Sequence, residues 1–356
     1  MSRRLLGVRV HKASAEEAII LAVKLKLLDT QSEIKRVMNF VYVPLARQPS
    51  ENELKDFERQ AAGAKVSPYV FQVRAKRPAT LADLLDGKLT PHLMTSLPHS
   101  ADIVGNIAVI EIPPELEAYK AVVGKAILKL NKNVRTVLAK AGAVSGTYRL
   151  RELSIVAGET NTATVHKEHG CKYYVDLAKA YFSPRLSFEH HRVASLVREG
   201  ETVLDMFAGV GPFAVQIAKA RKKVKVYAVD ANPCAIEFLE KNVRLNRVED
   251  KVVPILGDAK EVVKQRFSGV ADRVIMNLPE RATEFVCAAC GALRLRGGMI
   301  HFYGFLEASD SLENMQASFA QAVERCGRKV GKVLFSRRVR ATAPYEWQFV
   351  LDAKIV

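Results

Sequence analysis

The chain has 356 residues, of which 49% are hydrophobic and 26% charged; this excludes a disordered or fibrous protein and provides for two or three domains. No apolar run approaches the roughly 18 residues that cross a bilayer, and Arg9, Lys12, Glu16 and Glu17 interrupt the basic N-terminus where a leader would be apolar. Neither membrane insertion nor secretion is expected, and the cytoplasm is the expected location. The net charge of +16 points to a polyanionic partner, because phosphate neutralisation by Lys and Arg supplies much of nucleic-acid affinity.

Residues 1–75 read as a small α/β unit. Strands are expected at Leu5–Val10, Phe40–Leu45 and Val70–Val73, and a helix at Ala13–Leu28 with apolar residues at helical spacing. Pro78, Pro91 and Pro98 punctuate a linker over 76–98. The middle unit, 99–176, opens with a strand-like run at Val104–Ile112. A helix at Glu115–Leu130 follows, entered through Pro113-Pro114, then strands at Tyr148–Val156 and Ala163–Val165, while Lys172–Asp176 begins the approach to the third unit. Lys120, Lys125, Lys129, Lys132, Arg135 and Lys140 mark one basic, helix-like stretch; Arg221 to Lys225 and Arg337 to Arg340 are two more basic runs.

The third unit, 177–356, alternates strand and helix. Strands are expected at Thr202–Asp205, Val226–Asp230, Val252–Gly257, Arg273–Asn277 and Gly298–Tyr303, which predicts a parallel sheet covered by helices on both faces. Val330–Ser336 and Trp347–Leu351 leave no room for a helix between them, so an antiparallel pair is expected on the sheet edge. That ending is common in class I methyltransferases and unusual in dehydrogenases. The fold expected is therefore α/β: a class I, Rossmann-like methyltransferase domain behind two smaller α/β or α+β domains.

Gly209 and Gly211 lie between a strand ending at Asp205 and a helix starting near Pro212. Glycines there let the backbone approach a ligand closely, and the helix N-terminus offers unpaired N–H groups. With Ala214 the stretch also satisfies the relaxed dinucleotide fingerprint Gly-x-Gly-x-x-Ala, so the acids must decide. Asp205 beside the loop would repel a pyrophosphate but attract an amino group. Asp230 ends the second strand, where a carboxylate accepts ribose hydroxyls. Asp258 ends the third and could accept from an adenine amino group. Three acids at successive strand ends favour S-adenosylmethionine over a nicotinamide dinucleotide. The fourth strand ends in Asn277-Leu278-Pro279, where the residue before proline is held extended and the Asn amide can both donate to and accept from a base edge.

Cys171, Cys234, Cys287, Cys290 and Cys326 are odd in number. Cys287 and Cys290 sit in an apolar helical pattern without two further ligands nearby, so core thiols are expected and no metal site.

Several motifs occur together in a fixed order: Tyr148-Arg149-Leu150-Arg151-Glu152-Leu153 with Ala157-Gly158-Glu159, Tyr181-Phe182-Ser183-Pro184-Arg185-Leu186 with Glu189, Asp205 to Phe213, Asp230-Ala231-Asn232-Pro233, and Asn277-Leu278-Pro279. The combination resembles the archaeal and eukaryotic tRNA (guanine-37-N1)-methyltransferases over nearly the whole chain. The opening unit, from Gly7 to Lys12 onward, is similar to that family's small N-terminal domain, which contacts the outer corner of tRNA. The resemblance implies catalysis by Arg149 and Glu189. It implies a cofactor pocket with Tyr181, Phe207 and Asn232 beside Asp205, Gly209, Gly211, Asp230, Asp258 and Asn277. It also implies a base site with Arg149, Arg151, Asn277 and Pro279. His190 stands where relatives often carry Arg, and Thr283 where some carry His.

Chemistry agrees with those roles. Guanine N1 carries a proton at neutral pH, so a carboxylate must take it, and a guanidinium can stabilise the charge that grows on O6. Competing readings are a bifunctional enzyme that also methylates the tricyclic wyosine-type base, a cytosine-5 enzyme using Cys234 as nucleophile, and a non-catalytic RNA-binding module. A monomer without an obligate protein partner is expected.

Overall fold

The computed structural model describes residues 2–61, 63–73, 80–146, 148 and 150–356. The chain divides into two compact units, Met1–Pro78 and Ala79–Val356. The first holds β1 (Ser2–His11), α1 (Ala15–Lys24), β2 (Lys35–Val37), β3 (Phe40–Pro44), α2 (Glu51–Gln60) and β4 (Lys65–Gln72). Its sheet runs β2-β3-β1-β4, antiparallel throughout. Val8 and Val10 of β1 meet Leu21 and Ala22 of α1 and Phe57 of α2 in one core. Ser50 and Glu53 form a reciprocal capping box that starts α2.

The second unit begins where a linker was expected. Instead, α3 (Leu81–Leu85) and α4 (Pro91–Thr95) form, and Leu85, Leu89 and Leu97 bury against Val123 and Ile127 of the helix that follows. One of the three prolines initiates structure here, Pro91 in the first turn of α4; Pro78 lies outside the described residues. The single strand read over Val104–Ile112 is two, β5 (Asp102–Val104) and β6 (Ile107–Ile110), because Gly105 adopts a positive φ of 55° and turns the chain between them. After a 3-10 turn at Pro114–Tyr119 comes α5 (Lys120–Leu130).

Next come β7 (Thr136–Ser145) and β8 (Leu150–Gly158), completing a sheet of order β5-β6-β7-β8. The basic stretch is therefore not one helix. Lys120, Lys125 and Lys129 lie on α5, but Lys140 lies in β7, whose Val137, Leu138 and Ala139 are buried in succession, the pattern of a strand covered on both faces.

The hairpin β9 (Ala163–Glu168) and β10 (Cys171–Asp176) is joined to the methyltransferase-like region ahead of the expected boundary at 177. The side chains of Asn246 and Asn242 replace a neighbouring strand along β10, bonding the backbone N–H and C=O of Lys172 and Tyr174.

The large sheet is built from α6 (Ser187–Leu196), β11 (Thr202–Asp205), α7 (Pro212–Ala220), β12 (Lys225–Asp230), α8 (Pro233–Asn246), β13 (Val252–Leu256), α9 (Ala259–Val262), β14 (Arg273–Met276), α10 (Val286–Ala292), β15 (Gly298–Glu307), α11 (Leu312–Arg325), β16 (Val330–Ala343) and β17 (Glu346–Ile355). Its order is β13-β12-β11-β14-β15-β17-β16. The first five strands are parallel, while β17 runs antiparallel to both β15 and β16. Separate apolar cores cover its faces, one on α7 and α8 and one on α10 and α11.

Two details reach the site. β16 carries an extra residue between Arg338 and Arg340, so that Arg340 pairs with Gln348 across the hairpin. Cys287 of α10 is disulfide-bonded to Cys326, just past α11, which corrects the expectation of a free core thiol at 287. Cys290 is a buried thiol, and desolvation pushes it up to about 11.

Candidate active site

The carboxyl ends of β11, β12, β13 and β14 open on one cavity, lined among others by Tyr181, Phe207, Gly209, Asp230, Asp258, Asn277 and Pro279. A ligand crevice at that edge follows from strand order, since the direction of winding reverses between β11 and β14 and leaves a gap between their loops. Gly209 and Gly211 have φ of 54° and 89°. Gly211 is the N-cap of α7, with Pro212 in the first turn; a Cβ there would come within 2.1 Å of Leu239 Cδ1. Its role is to pack the helix against α8, not to line the cavity.

The three strand-end acids differ in state. Asp205 is fully buried, and neither carboxylate oxygen has a hydrogen-bond partner. Desolvation pushes its carboxyl up to about 7; the nearby Phe207 N–H opposes this only in part, short of hydrogen-bond geometry, and Asp230 adds to it. Asp230 accepts the Gly209 N–H at 2.7 Å and the Asn232 N–H at 2.9 Å, so it holds the glycine turn in shape while its carboxyl is also raised by burial. Asp258 caps α9 through Oδ1 alone, accepting from the Lys260 and Glu261 amides. An ammonium reaching the end of β11 would complete Asp205, the one acid left without donors, and this donor set fits the amino-acid end of S-adenosylmethionine.

Asn232 is placed otherwise than expected. It is buried and spends both ends of its amide within the chain, donating to the Lys179 carbonyl and accepting from the Cys234 N–H. It fixes the approach to Tyr181 and the start of α8. Cys234, in the first turn of α8, is absent from the cavity wall, which removes the geometry a cysteine nucleophile would need.

Glu189, the expected base, is fully buried and lies outside the cavity wall. Its carboxylate accepts from Arg337 at 2.8 Å, Arg192 at 2.9 Å and the Tyr303 hydroxyl at 2.9 Å. Arg192 also binds Asp352, which meets His301 at 2.6 Å; Arg273 continues the chain to Glu201. Burial raises the Asp352 carboxyl, but His301 and Arg192 outweigh that and hold it near 2. This polar chain escaped sequence reading, because its members come from α6, β14, β15, β16 and β17. The residue beside Glu189 does reach the cavity. His190 lines it, with Nδ1 2.6 Å from Glu168 Oε1, which Gln216 also binds. Desolvation raises Glu168, yet His166 and His190 hold it near 2.

On the acceptor side, Asn277, Leu278 and Pro279 line the cavity together with Arg340 and Gln348 from the terminal hairpin. Neither hairpin residue was anticipated: only the basic run at 337–340 marked one of them. Tyr148 lines the cavity, but Arg149 and the side chain of Arg151 lie outside the described residues. No helix among the described residues is long and apolar enough to cross a membrane.

A glycine turn, strand-end acids at a switch point, and an antiparallel seventh strand inserted at the sheet edge define a class I methyltransferase. Residues 164–331 match the TRM5/TYW2 methyltransferase domain, 81–162 the TYW2 N-terminal domain and 7–53 the tRNA methyltransferase 5 N-terminal domain. The chain is 40% identical over 350 residues to tRNA (guanine(37)-N(1))-methyltransferase Trm5b of Pyrococcus abyssi, covering 98% of this chain and 99% of that one. It is 35% identical over 254 residues to tRNA 4-demethylwyosine(37)-methyltransferase Taw21 of Saccharolobus solfataricus, covering 71% of this chain and 92% of that one. The solved complex of aTrm5 with tRNALeu superposes with a TM-score of 0.77 at 32% identity, covering 99% of this chain and 100% of that one. This chain belongs to the TRM5/TYW2 methyltransferase family.

Proposed function

We propose that this protein methylates N1 of guanosine 37 in tRNA, using S-adenosylmethionine, as a cytoplasmic monomer. The observation that carries the reading is full-length similarity to a protein of that activity, joined to a cavity with Asp230 and Asp258 at one end and an Asn-Leu-Pro loop at the other, and an orphaned carboxylate, Asp205, buried beside the glycine turn. Asp205 would hold the amino group of the cofactor, Asp230 its ribose and Asp258 its adenine, with Tyr181 and Phe207 on the walls. When bound, S-adenosylmethionine supplies an activated methyl sulfonium. Asn277 and Pro279 would hold the base edge, so that positioning provides much of the rate. The net charge of +16 suits tRNA.

Glu189 is our candidate for the proton acceptor at N1, with Arg149 stabilising O6. In the conformation seen, Arg337 holds one Glu189 oxygen. Arg337 is the more exposed partner of that pair, so its displacement toward an RNA phosphate would free Oε1, while Arg192 and Tyr303 keep Oε2 in place. One observation favours a second base: His190 already lines the cavity, backed by Glu168, in the arrangement that makes an imidazole a proton acceptor. A second activity on the wyosine-type base is favoured by the likeness to the Taw21 protein.

Nucleoside mass spectrometry on an unmodified tRNA transcript with guanosine at position 37 tests the reading. The expected product is 1-methylguanosine, abolished when position 37 is changed; no product, or product independent of position 37, overturns it.

A further inference from the structure

Asn277 is tied into a hydrogen-bond chain with a fixed direction. Its Oδ1 accepts from Gln348 Nε2 at 3.1 Å, and Gln348 Oε1 accepts from Arg340 Nε at 2.9 Å. Arg340 Nη1 donates to the Ser183 hydroxyl at 2.9 Å and Nη2 to the Tyr181 hydroxyl at 3.0 Å. A guanidinium has N–H groups to give and no acceptor. The amide oxygen of Gln348 must therefore face Arg340, its NH2 must face Asn277, and Asn277 must answer with oxygen. What remains of the Asn277 amide is its NH2, which has no protein partner among the described residues, and Asn277 lines the cavity.

We propose that Arg340 and Gln348 are positioning residues that orient the Asn277 amide so that it offers a donor, not an acceptor, to the base entering the cavity. The proposal deepens, and rests on, the reading of this cavity as the site where a purine base is held. A donor at this point pairs with a keto oxygen or a bare ring nitrogen and is repelled by an exocyclic amine, which separates guanine from adenine at position 6.

The extra residue in β16 is what makes the chain possible. It brings Arg340 opposite Gln348, where a regular ladder would put Val339. Gln348 is almost wholly buried, at 1% exposure, so the pair exchanges few bonds with water, and each amide orientation is enforced by the cost of a buried unpaired group.

The decisive variants are Gln348→Glu and Gln348→Leu in the full chain. Glu keeps the size and the bond from Arg340 but can only accept toward Asn277, which must then turn its NH2 inward and its oxygen to the cavity. Leu merely cuts the chain and lets the Asn277 amide take either orientation. We expect Gln348→Glu to lower kcat on a guanosine-37 transcript about 10- to 100-fold, more than Gln348→Leu does. S-adenosylmethionine affinity should stay near that of the parent; the melting temperature should fall in Gln348→Leu, which leaves Arg340 Nε and Asn277 Oδ1 unpaired, and fall less in Gln348→Glu. A structural role for Gln348 predicts the reverse order of kcat, since Glu is the closer isostere.

The side-chain amide resonance of Asn277, assigned by its loss in Asn277→Ala, supplies a readout independent of turnover. In Gln348→Glu one of its protons should move downfield and exchange more slowly, as it donates to a carboxylate. Leu worse than Glu in kcat, or an unmoved amide resonance in Gln348→Glu, overturns the proposal. If the parent protein makes no 1-methylguanosine, the assigned activity fails while the resonance still reports on the relay.

Discussion

The cavity has two walls built on different principles. The cofactor-side wall is local: each acid ends a parallel strand, and the glycine turn joins one strand to the next helix within nine residues, Asp205 to Phe213. The acceptor-side wall is assembled at long range, with Asn277 supported by Gln348 and Arg340 from the last hairpin; Glu189, outside the wall, is likewise held by distant partners, Arg337 and Tyr303. A local wall depends on a few backbone conformations. A long-range wall depends on a register and on charge partners that must all arrive together. Mutations should therefore separate the two, with loss of cofactor on one side and loss of turnover on the other.

The largest separation is expected at Glu189. Glu189→Gln should lower turnover about 10²- to 10⁴-fold while leaving S-adenosylmethionine affinity intact, read by single-turnover kinetics and calorimetry. Unchanged turnover would transfer the base role to His190; lost cofactor binding would make Glu189 a brace only. Next comes the disulfide between Cys287 and Cys326, which joins α10 to the end of α11 across a sequence separation of 39 residues. Its reduction should lower unfolding stability by up to about 4 kcal/mol, seen as a lower denaturant midpoint, with cofactor affinity nearly unchanged. A larger effect on cofactor affinity than on stability would show that the walls are not independent.

Asp205 provides the complementary test. Its folded carboxyl lies at about 7, above the ordinary value of 3.8, so the folded state holds the proton more tightly than the unfolded chain. The stability this gives is complete below about pH 4 and is lost as pH rises to 7; the ionised group then costs about 4 kcal/mol. Asp205→Asn should raise the melting temperature at pH 8 and weaken S-adenosylmethionine about 10²-fold through loss of a charged hydrogen bond. The parent's affinity should climb from pH 5 to 7, and the variant's should not. A flat profile in the parent would remove Asp205 from the ammonium site. Smallest is Gly211→Ala, where the positive φ and the contact with Leu239 should cost about 1–2 kcal/mol of stability, measured by thermal unfolding, with a lesser effect on turnover than any acid.

The same division governs what could be read from sequence. The five parallel strands, the edge pair and the strand-end acids were legible, because each is a run of apolar residues closed by a polar one. Asn232 was placed by motif, but its amide is consumed by Lys179 and Cys234, partners that only folding brings near. β7 was missed because Val137, Leu138 and Ala139 are buried in succession and show no alternation. The helices of 81–97 were missed because prolines were read as breaks, and Pro91 starts a helix. Gln348 carried no signal, and Arg340 only that of a basic run: their meaning lies in a cross-strand pair created by one added residue.

That added residue sets the curvature of the strand. Deleting Val339 would close the ladder and still leave Arg340 opposite Gln348, but it would take away the local bend and added twist that the extra residue gives this hairpin. The donors that Arg340 offers to Tyr181, Ser183 and Gln348 would stay on their face and lose their aim. At this edge of the sheet, strand curvature is a functional property alongside pairing.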